Sequence, residues 1–257
     1  RIAMSTDADT PRILEPVPGI WVRQEVDNIA WIDLGDDLLV VDSLEHAELE
    51  DEVLQMIAST TGDKPVRTVV NTHTHYDHTA LNDAFVRRFD AQIVNARTRK
   101  LPADGLFLGS SKREAIVRPM GGCHTDEDCI VHLPGDSVLF VGDIFGWGLI
   151  PWDRPLTQAK AGHIIEVYEQ LIALNAATVV PGHGPLCTTA ELQRWVRYFT
   201  ELMETVRAAR GNGASRQDIR EGAIPAPTDM ADWWRFLAWK HEDSVKKVSQ
   251  AVVRGGL

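Results

Sequence analysis

The sequence has few cysteines, a shortage of basic residues and no long apolar run. Its three cysteines, Cys123, Cys129 and Cys187, are an odd number at unrelated spacings. This pattern argues against a disulfide framework and favours a reducing compartment. No apolar run approaches the roughly 20 residues of a membrane span, and no signal-peptide pattern opens the chain. We therefore expect a cytoplasmic protein that has no membrane partner.

Acidic residues outnumber basic ones: the 257 residues include 37 Asp and Glu against 26 Lys and Arg, for a net charge of −11. Nucleic acids and anionic membranes are bound by basic surfaces, so this balance argues against both as partners. A small-molecule substrate fits the composition better. The length allows one full domain, and no internal repeat, low-complexity tract or flexible linker divides it.

Strand and helix patterns mix along the chain and predict an α/β protein. Residues 17–44 are rich in β-branched and aromatic residues and predict short strands, and VRTVV at 66–70 predicts a buried one. Further strands are predicted at residues 91–96, 115–120, 129–134, 137–143 and 177–180, with residues 101–112 as an irregular excursion. Helices are predicted at residues 49–61, 80–89 and 157–174, and from residue 188 onward, where residues 232–252 form a long amphipathic segment. Together these elements indicate two sheets covered outside by helices.

Residues 72–79, THTHYDHT, place three histidines and an aspartate directly after a predicted strand. Histidine seldom crowds in this way for packing, whereas imidazole and carboxylate groups suit Zn²⁺, and Fe or Mn where oxygens contribute more. His73 and His75 can point to the same side of an extended segment and bind one ion. Asp77 and His78 lie past a bend and face a neighbouring position. One loop could thus serve two metals.

Two metals need more ligands than this loop contains, so other parts of the chain must supply them. Three later motifs at predicted strands carry candidates: His124 in GGCHTDED, Asp143 in LFVGD and His183 in VVPGHG. Glycines beside each of them let the backbone approach closely.

In this order, the four motifs THTHYDHT, GGCHTDED, LFVGD and VVPGHG resemble the signature set of the metallo-β-lactamase superfamily, over roughly residues 17–207. The resemblance implies an αββα metallo-β-lactamase-type sandwich. We expect residues 4–210 to form this catalytic domain and residues 211–257 to form a helical C-terminal extension packed on it. The resemblance also implies two metal ions in a cleft at the sheet edges, with Zn²⁺ as the first choice and Fe or Mn as alternatives.

Carried over position by position, the resemblance implies a role for each candidate. The ligands of one ion would be His73, His75 and His124. The ligands of the other would be Asp77, His78 and His183, with Asp143 bridging the two ions. Asp42 matches an acidic residue that supports the ligand loop without touching the metal.

The implied reaction is hydrolysis by a hydroxide that both ions share. Two ions lower the pKa of a shared water and stabilise the oxyanion that forms on attack, and Asp77 could orient the nucleophile or pass a proton. In the true zinc β-lactamases of this superfamily, a cysteine or serine generally stands at the position of Asp143. The resemblance therefore favours an ester, thioester or lactone. A glyoxalase II activity is disfavoured, because GDIFGWGLIPWDRP lacks the Gly-Cys-Gly-Arg element usual there.

Three alternatives stay open at this point. Some superfamily members oxidise a persulfide with a single iron bound by two histidines and an aspartate. A true β-lactam hydrolase is the second alternative. The third is a metal-stabilised binding module without catalytic activity.

Two aromatic groups have no role in this ligand scheme. Phe145, Trp147 and Trp152, in the run directly after Asp143, could belong to the core or form an apolar wall for the substrate. The aromatic residues at 233–239 are predicted to dock the last helix on the body or on another subunit, which would give a homo-oligomer.

Overall fold

Two mixed β-sheets pack face to face in the computed structural model, which describes residues 10–110, 112–219 and 224–257. The first sheet has the order β1 (Arg12–Val17), β2 (Ile20–Gln24), β3 (Ile29–Asp33), β4 (Leu38–Val41), β5 (Val66–Val70) and β6 (Gln92–Val94). The second has the order β11 (Thr178–Pro181), β10 (Val138–Gly142), β9 (Cys129–Leu133), β8 (Glu114–Pro119) and β7 (Leu106–Gly109). The pairs β4–β5, β5–β6 and β10–β11 are parallel.

The helices lie on the two outer faces of this pair of sheets. They are α1 (Glu50–Thr61), α2 (Asn82–Phe89), α3 (Gln158–Ala173), α4 (Thr189–Gly211), α5 (Arg216–Asp218) and α6 (His241–Val253). A 3₁₀ turn at Tyr76–His78 and a π-helical turn at Phe236–Lys240 are the irregular elements that matter below. Within the residues described, no helix is both long and apolar enough to cross a membrane.

Three apolar clusters correspond to the three interfaces of an αββα sandwich. Residues such as Val22 and Phe140 fill the space between the sheets. Trp31 and Phe85 belong to the cluster that packs α1 and α2 on the outer face of the first sheet. The third cluster packs α3, α4 and α6 on the second sheet. The predicted αββα architecture is therefore confirmed.

Two predicted segments differ from the structure. The excursion at 101–112 contains the edge strand β7, where Phe107 is exposed while Leu106 and Leu108 face the inter-sheet cluster. The segment 232–252 is not one helix, because Arg235 has a left-handed backbone (φ 57°) and α6 begins only at His241. A residue whose backbone is left-handed interrupts helical hydrogen bonding, although the apolar periodicity of the sequence continues past Arg235.

The boundary predicted between residues 210 and 211 stays a prediction. Helix α4 runs across it, and residues of α6 share an apolar cluster with residues of α3 and α4. Residues 4–9 and 111 of the predicted domain and residues 220–223 of the predicted extension lie outside the described residues.

The strand directions bring the predicted site residues to one edge of the sandwich. Strands β4 and β5 are parallel, so Asp42 and His73, which follow them, emerge at the same edge of the first sheet. Strands β10 and β11 are also parallel, so Asp143 and His183 emerge together at the end of the second. Strand β9 runs antiparallel to β10, which places its start, and the loop that carries His124, at that edge too.

Candidate metal centre

Backbone hydrogen bonds hold the two sheets together at this edge. The amide of Cys129 donates to the carbonyl oxygen of Thr72 at 2.7 Å, and the amide of Asn28 donates to that of Gly182 at 2.8 Å. Each bond joins a residue of the first half of the chain to one of the second. The loops that carry the histidines are therefore fixed relative to one another by main-chain contacts.

One group of donor atoms comes from three histidines. His73 Nε2 lies 3.0 Å from His75 Nδ1, and His124 Nε2 lies 3.2 Å from the same Nδ1. Each of these three nitrogens can offer a lone pair to a metal ion when it carries no proton. The predicted grouping of these three residues is present in the structure, with the donor atoms all within 4.8 Å of one another.

A second group combines two histidines and two aspartates. His183 Nε2 lies 3.2 Å from Asp143 Oδ2 and 3.4 Å from Asp77 Oδ2. His78 Nε2 lies 3.3 Å from Asp143 Oδ1. All four side chains are at least partly buried. These are the residues predicted for the other ion, together with the predicted bridge.

Asp143 lies between the two groups. Besides its contacts with the second group, its Oδ2 atom is 3.6 Å from His124 Nε2 and 3.9 Å from His73 Nε2. One carboxylate thus faces donor atoms on both sides. This is the arrangement that a carboxylate shared by two neighbouring ions would need.

Four of the five histidines have a partner on the ring nitrogen that points away from the centre. The pairs are His73 Nδ1 with Thr72 Oγ1 (3.3 Å), His78 Nδ1 with Asp42 Oδ2 (3.0 Å), His124 Nδ1 with Pro151 O (2.7 Å) and His183 Nδ1 with Asp27 Oδ1 (2.9 Å). A carbonyl oxygen can only accept a hydrogen bond, so the proton is on Nδ1 in His124, beside Pro151 O, and in His183, whose Nδ1 also lies 3.1 Å from Val26 O. In these two rings the inward nitrogen then keeps its lone pair for a metal. His78 Nδ1 is close to Asp42 but makes no hydrogen bond with a residue that the structure describes.

Asp42 makes the contacts that the sequence predicted for a supporting acid. It is 3% exposed and accepts hydrogen bonds from the backbone amide of Thr72 at 2.8 Å and from the hydroxyl of the same residue. With its contact to His78, it therefore touches the loop at two points. Its backbone is left-handed (φ 58°), which is uncommon for a residue other than glycine.

Three supporting residues were missed at the sequence level. Asp27 holds His183 by its carboxylate, and Asn28 Nδ2 donates to the carbonyl oxygens of Pro181 and Gly184, on either side of that histidine. The only sequence signal for these two residues was that they form a polar Asp-Asn pair between two predicted strands. A turn explains such a pair as well as a supporting role does.

The third missed residue is Asp128, which shapes the loop of His124. Its carboxylate accepts hydrogen bonds from the backbone amides of Cys123, His124 and Thr125. An aspartate that follows a loop by three to five residues is a common acceptor for the loop's amides. The spacing in GGCHTDED was therefore a usable signal.

The charges of the centre fit a bound cation. Burial alone would raise the pKa of Asp143, but His183 and His78 hold it well below its usual value. Burial and the neighbouring His78 lower the pKa of His73 to about 2, so this ring is a neutral donor. His78 Nε2 and Asp143 Oδ1 are both buried and make no hydrogen bond with any residue that the structure describes. Buried polar atoms without a partner are costly, and a metal ion would satisfy both.

Of the three residues for which core and substrate wall were both open, the structure places two in the core. Phe145 is 0% and Trp147 2% exposed, and both pack against Trp233 in the core. They have almost no surface left for a substrate. Trp152 is 6% exposed, and the cationic groups of Lys160 and Arg154 both lie over its ring, 3.7 and 4.2 Å from its centre. Aromatic residues after a strand suit either role, so the composition of the run could not separate them.

Comparison with known proteins identifies relatives by sequence family and by fold. Residues 23–119 match the family model of the Metallo-beta-lactamase superfamily, a range that includes Asp42 and the histidine loop and ends before His124. A sec-alkylsulfatase from Pseudomonas sp. has a similar structure, with a TM-score of 0.71 and 14% identity over 93% of this chain and 50% of that one. This chain spans half the length of that alkylsulfatase.

Two metallo-beta-lactamase structures are also similar. The protein from Pontibacter korlensis has a TM-score of 0.59 and 19% identity over 73% of this chain and 98% of that one. The protein from Pseudomonas aeruginosa, in a mono-zinc form, has a TM-score of 0.58 and 18% identity over 74% and 95% of the two chains. At these identities the similarity shows the fold alone, and that fold is the one that the motifs imply.

Gly182 provides a test of the geometry. A Cβ atom at this position would lie 2.2 Å from Asp143 Oδ1 and 2.8 Å from His78 Cε1. We expect Gly182→Ala to displace one of these side chains and to lower the Zn²⁺ bound per chain, measured by elemental analysis after dialysis. Gly162→Ala is the matched control, because nothing lies within 4 Å of its Cβ position. Full metal content in Gly182→Ala would contradict the arrangement.

Proposed function

Because the chain is a metallo-β-lactamase-fold protein with the superfamily's sequence match at residues 23–119, we propose that it is a metal-dependent hydrolase of a small ester, thioester or lactone. The observation that carries the proposal is Asp143, whose carboxylate faces donor atoms of both groups. A cysteine or serine, as the β-lactamases of the superfamily generally have there, offers only one donor atom. A carboxylate offers two oxygens and suits a shared position between ions.

The donor set determines which metals fit. His73, His75 and His124 would hold one ion by three nitrogens, while His78, His183 and Asp77 would hold the other by two nitrogens and an oxygen. Three or four nitrogen and carboxylate donors suit Zn²⁺, and the larger share of oxygen in the second group also suits Fe or Mn. When bound, such ions supply Lewis acidity that activates a water and polarises the substrate.

Asp77 is the side chain best placed to handle a proton. It is about one-fifth exposed, so it faces both the centre and solvent. Burial would raise its pKa, but contact with His183 and the charge of His78 lower it below the usual value. A carboxylate that is ionised at neutral pH can orient an attacking water and accept its proton. We propose that Asp77 does this and returns the proton to the leaving group.

The rival functions are less well supported. Persulfide oxidation by one iron needs two histidines and one aspartate, and leaves the remaining donors of this centre without a use. A binding module without activity would not need all seven donors. The alkylsulfatase among the structural relatives acts on a sulfate ester, so this bond belongs among those to be tested. The net charge of −11 supports a small molecule rather than a nucleic acid as substrate.

The decisive activity test is a panel of aryl esters, thioesters, lactones, alkyl sulfates, phosphodiesters and β-lactams. We expect turnover of an ester, thioester or lactone that a chelator abolishes and added Zn²⁺ restores, because the ions supply the activated water. Preferred turnover of a β-lactam or a sulfate would reject the proposed bond. Oxygen consumption with a persulfide and one Fe per chain would reject hydrolysis altogether.

Ligand variants test which residues act. Wild-type protein should hold close to two Zn²⁺ per chain, and His73→Ala and Asp143→Ala should each hold less. Their kcat should fall by at least about 100-fold, as expected when a group that stabilises developing charge is removed. His46→Ala is the matched control, since this histidine is exposed and outside the centre. Wild-type turnover in Asp143→Ala would place the chemistry elsewhere.

A further inference from the structure

The loop that follows Asp143 is bound to the C-terminal helices through its main chain. Three consecutive carbonyl oxygens, those of residues 148–150, each accept a hydrogen bond from a different side chain. The donors are Ser244 Oγ to Gly148 (2.9 Å), Trp195 Nε1 to Leu149 (3.0 Å) and Lys247 Nζ to Ile150 (3.1 Å). Trp195 is on α4, whereas Ser244 and Lys247 are on α6. Helix α6 therefore holds the loop at two of the three points.

The next carbonyl oxygen of the same loop belongs to the candidate metal centre. Pro151 O lies 2.7 Å from His124 Nδ1, and a carbonyl oxygen can only accept, so the proton is on Nδ1. His124 Nε2 is left with a lone pair that points to His75. The place of one carbonyl oxygen thus determines both the tautomer and the direction of His124.

The loop also packs against the segment that precedes α6. Trp147 and Gly148 both have left-handed backbones, with φ of 55° and 107°. A Cβ atom on Gly148 would lie 2.4 Å from Phe236 Cδ2, so the two segments are in close contact. Ile150 is 1% exposed and belongs to the same apolar cluster as Val245 and Val248 of α6. The loop is held by packing as well as by hydrogen bonds.

We propose that α6 supports the metal centre from outside, and that Ser244 and Lys247 are positioning residues for His124. They lie three residues apart, which places them on one face of the helix. Neither touches the coordinating atoms. Each holds a carbonyl group of residues 148–150, and the next carbonyl group, that of Pro151, contacts the ring of His124. The position of α6 therefore affects the position of that ring. This inference rests on the proposed function, because it takes His124 to be a metal ligand.

The test measures metal affinity and needs no substrate. Metal-free protein is titrated with Zn²⁺ against a chromophoric chelator to give the two dissociation constants. We expect Lys247→Met and Ser244→Ala each to weaken one of the two sites by about 10-fold or more, as loss of a residue that supports a ligand generally does, and to leave the other unchanged. Lys246→Met, an exposed lysine on the same helix, should leave both constants at wild-type values.

A second measurement separates positioning from general stability. The Co²⁺-loaded protein should show altered d–d absorption in Lys247→Met, with recovery in Lys247→Gln, which keeps a donor. If Ser244→Ala fails to fold, Lys247→Met carries the test, because the Lys247 side chain is about one-quarter exposed. Unchanged Zn²⁺ affinities, or an equal loss at both sites, would overturn this inference and leave the proposed function standing. Wild-type protein that binds none of Zn²⁺, Fe²⁺ and Mn²⁺ would instead contradict both.

Discussion

Asp143 is a carboxylate placed among histidines where its charge must be balanced. Its side chain is 14% exposed, and nitrogens of four histidines, from three different loops, lie within 3.9 Å of its two oxygens. Water cannot solvate such a group well, so positive charge has to come from protonated histidines or from metal ions. Without metal, His78 supplies part of it, since Asp143 and Asp42 raise its pKa well above the usual value against the effect of burial. Two bound metal ions would supply this positive charge while every histidine stays neutral.

The rest of the edge aims the histidines at the centre. Asp42, Asp27 and Pro151 lie against the outward nitrogens of three histidines and leave the inward nitrogens free to bind. These acceptors come from the end of β4, the turn between β2 and β3, and the loop after Asp143. Each sheet thus contributes both donors and the groups that hold them. The centre depends on the sandwich as a whole, and its C-terminal helices belong to that support.

Much of the candidate site could be predicted from the sequence, because its candidate ligands stand in short motifs at strand ends, where a parallel sheet brings its loops together. The supporting groups are harder to predict. Asp27 and His183 are far apart in the chain, and no local pattern joins them. Pro151 acts through its backbone, which leaves no mark on residue type. Phe145 and Trp147 proved to be core, because apolar composition alone does not tell a wall from an interior.

Anomalous diffraction at the zinc edge, from crystals of the Zn²⁺-loaded protein, tests the central claim most directly. The account predicts two peaks, one among His73, His75 and His124, the other among Asp77, His78 and His183, with the carboxylate of Asp143 in contact with both. A single peak that leaves Asp143 without a metal contact, or density at neither group, would contradict it.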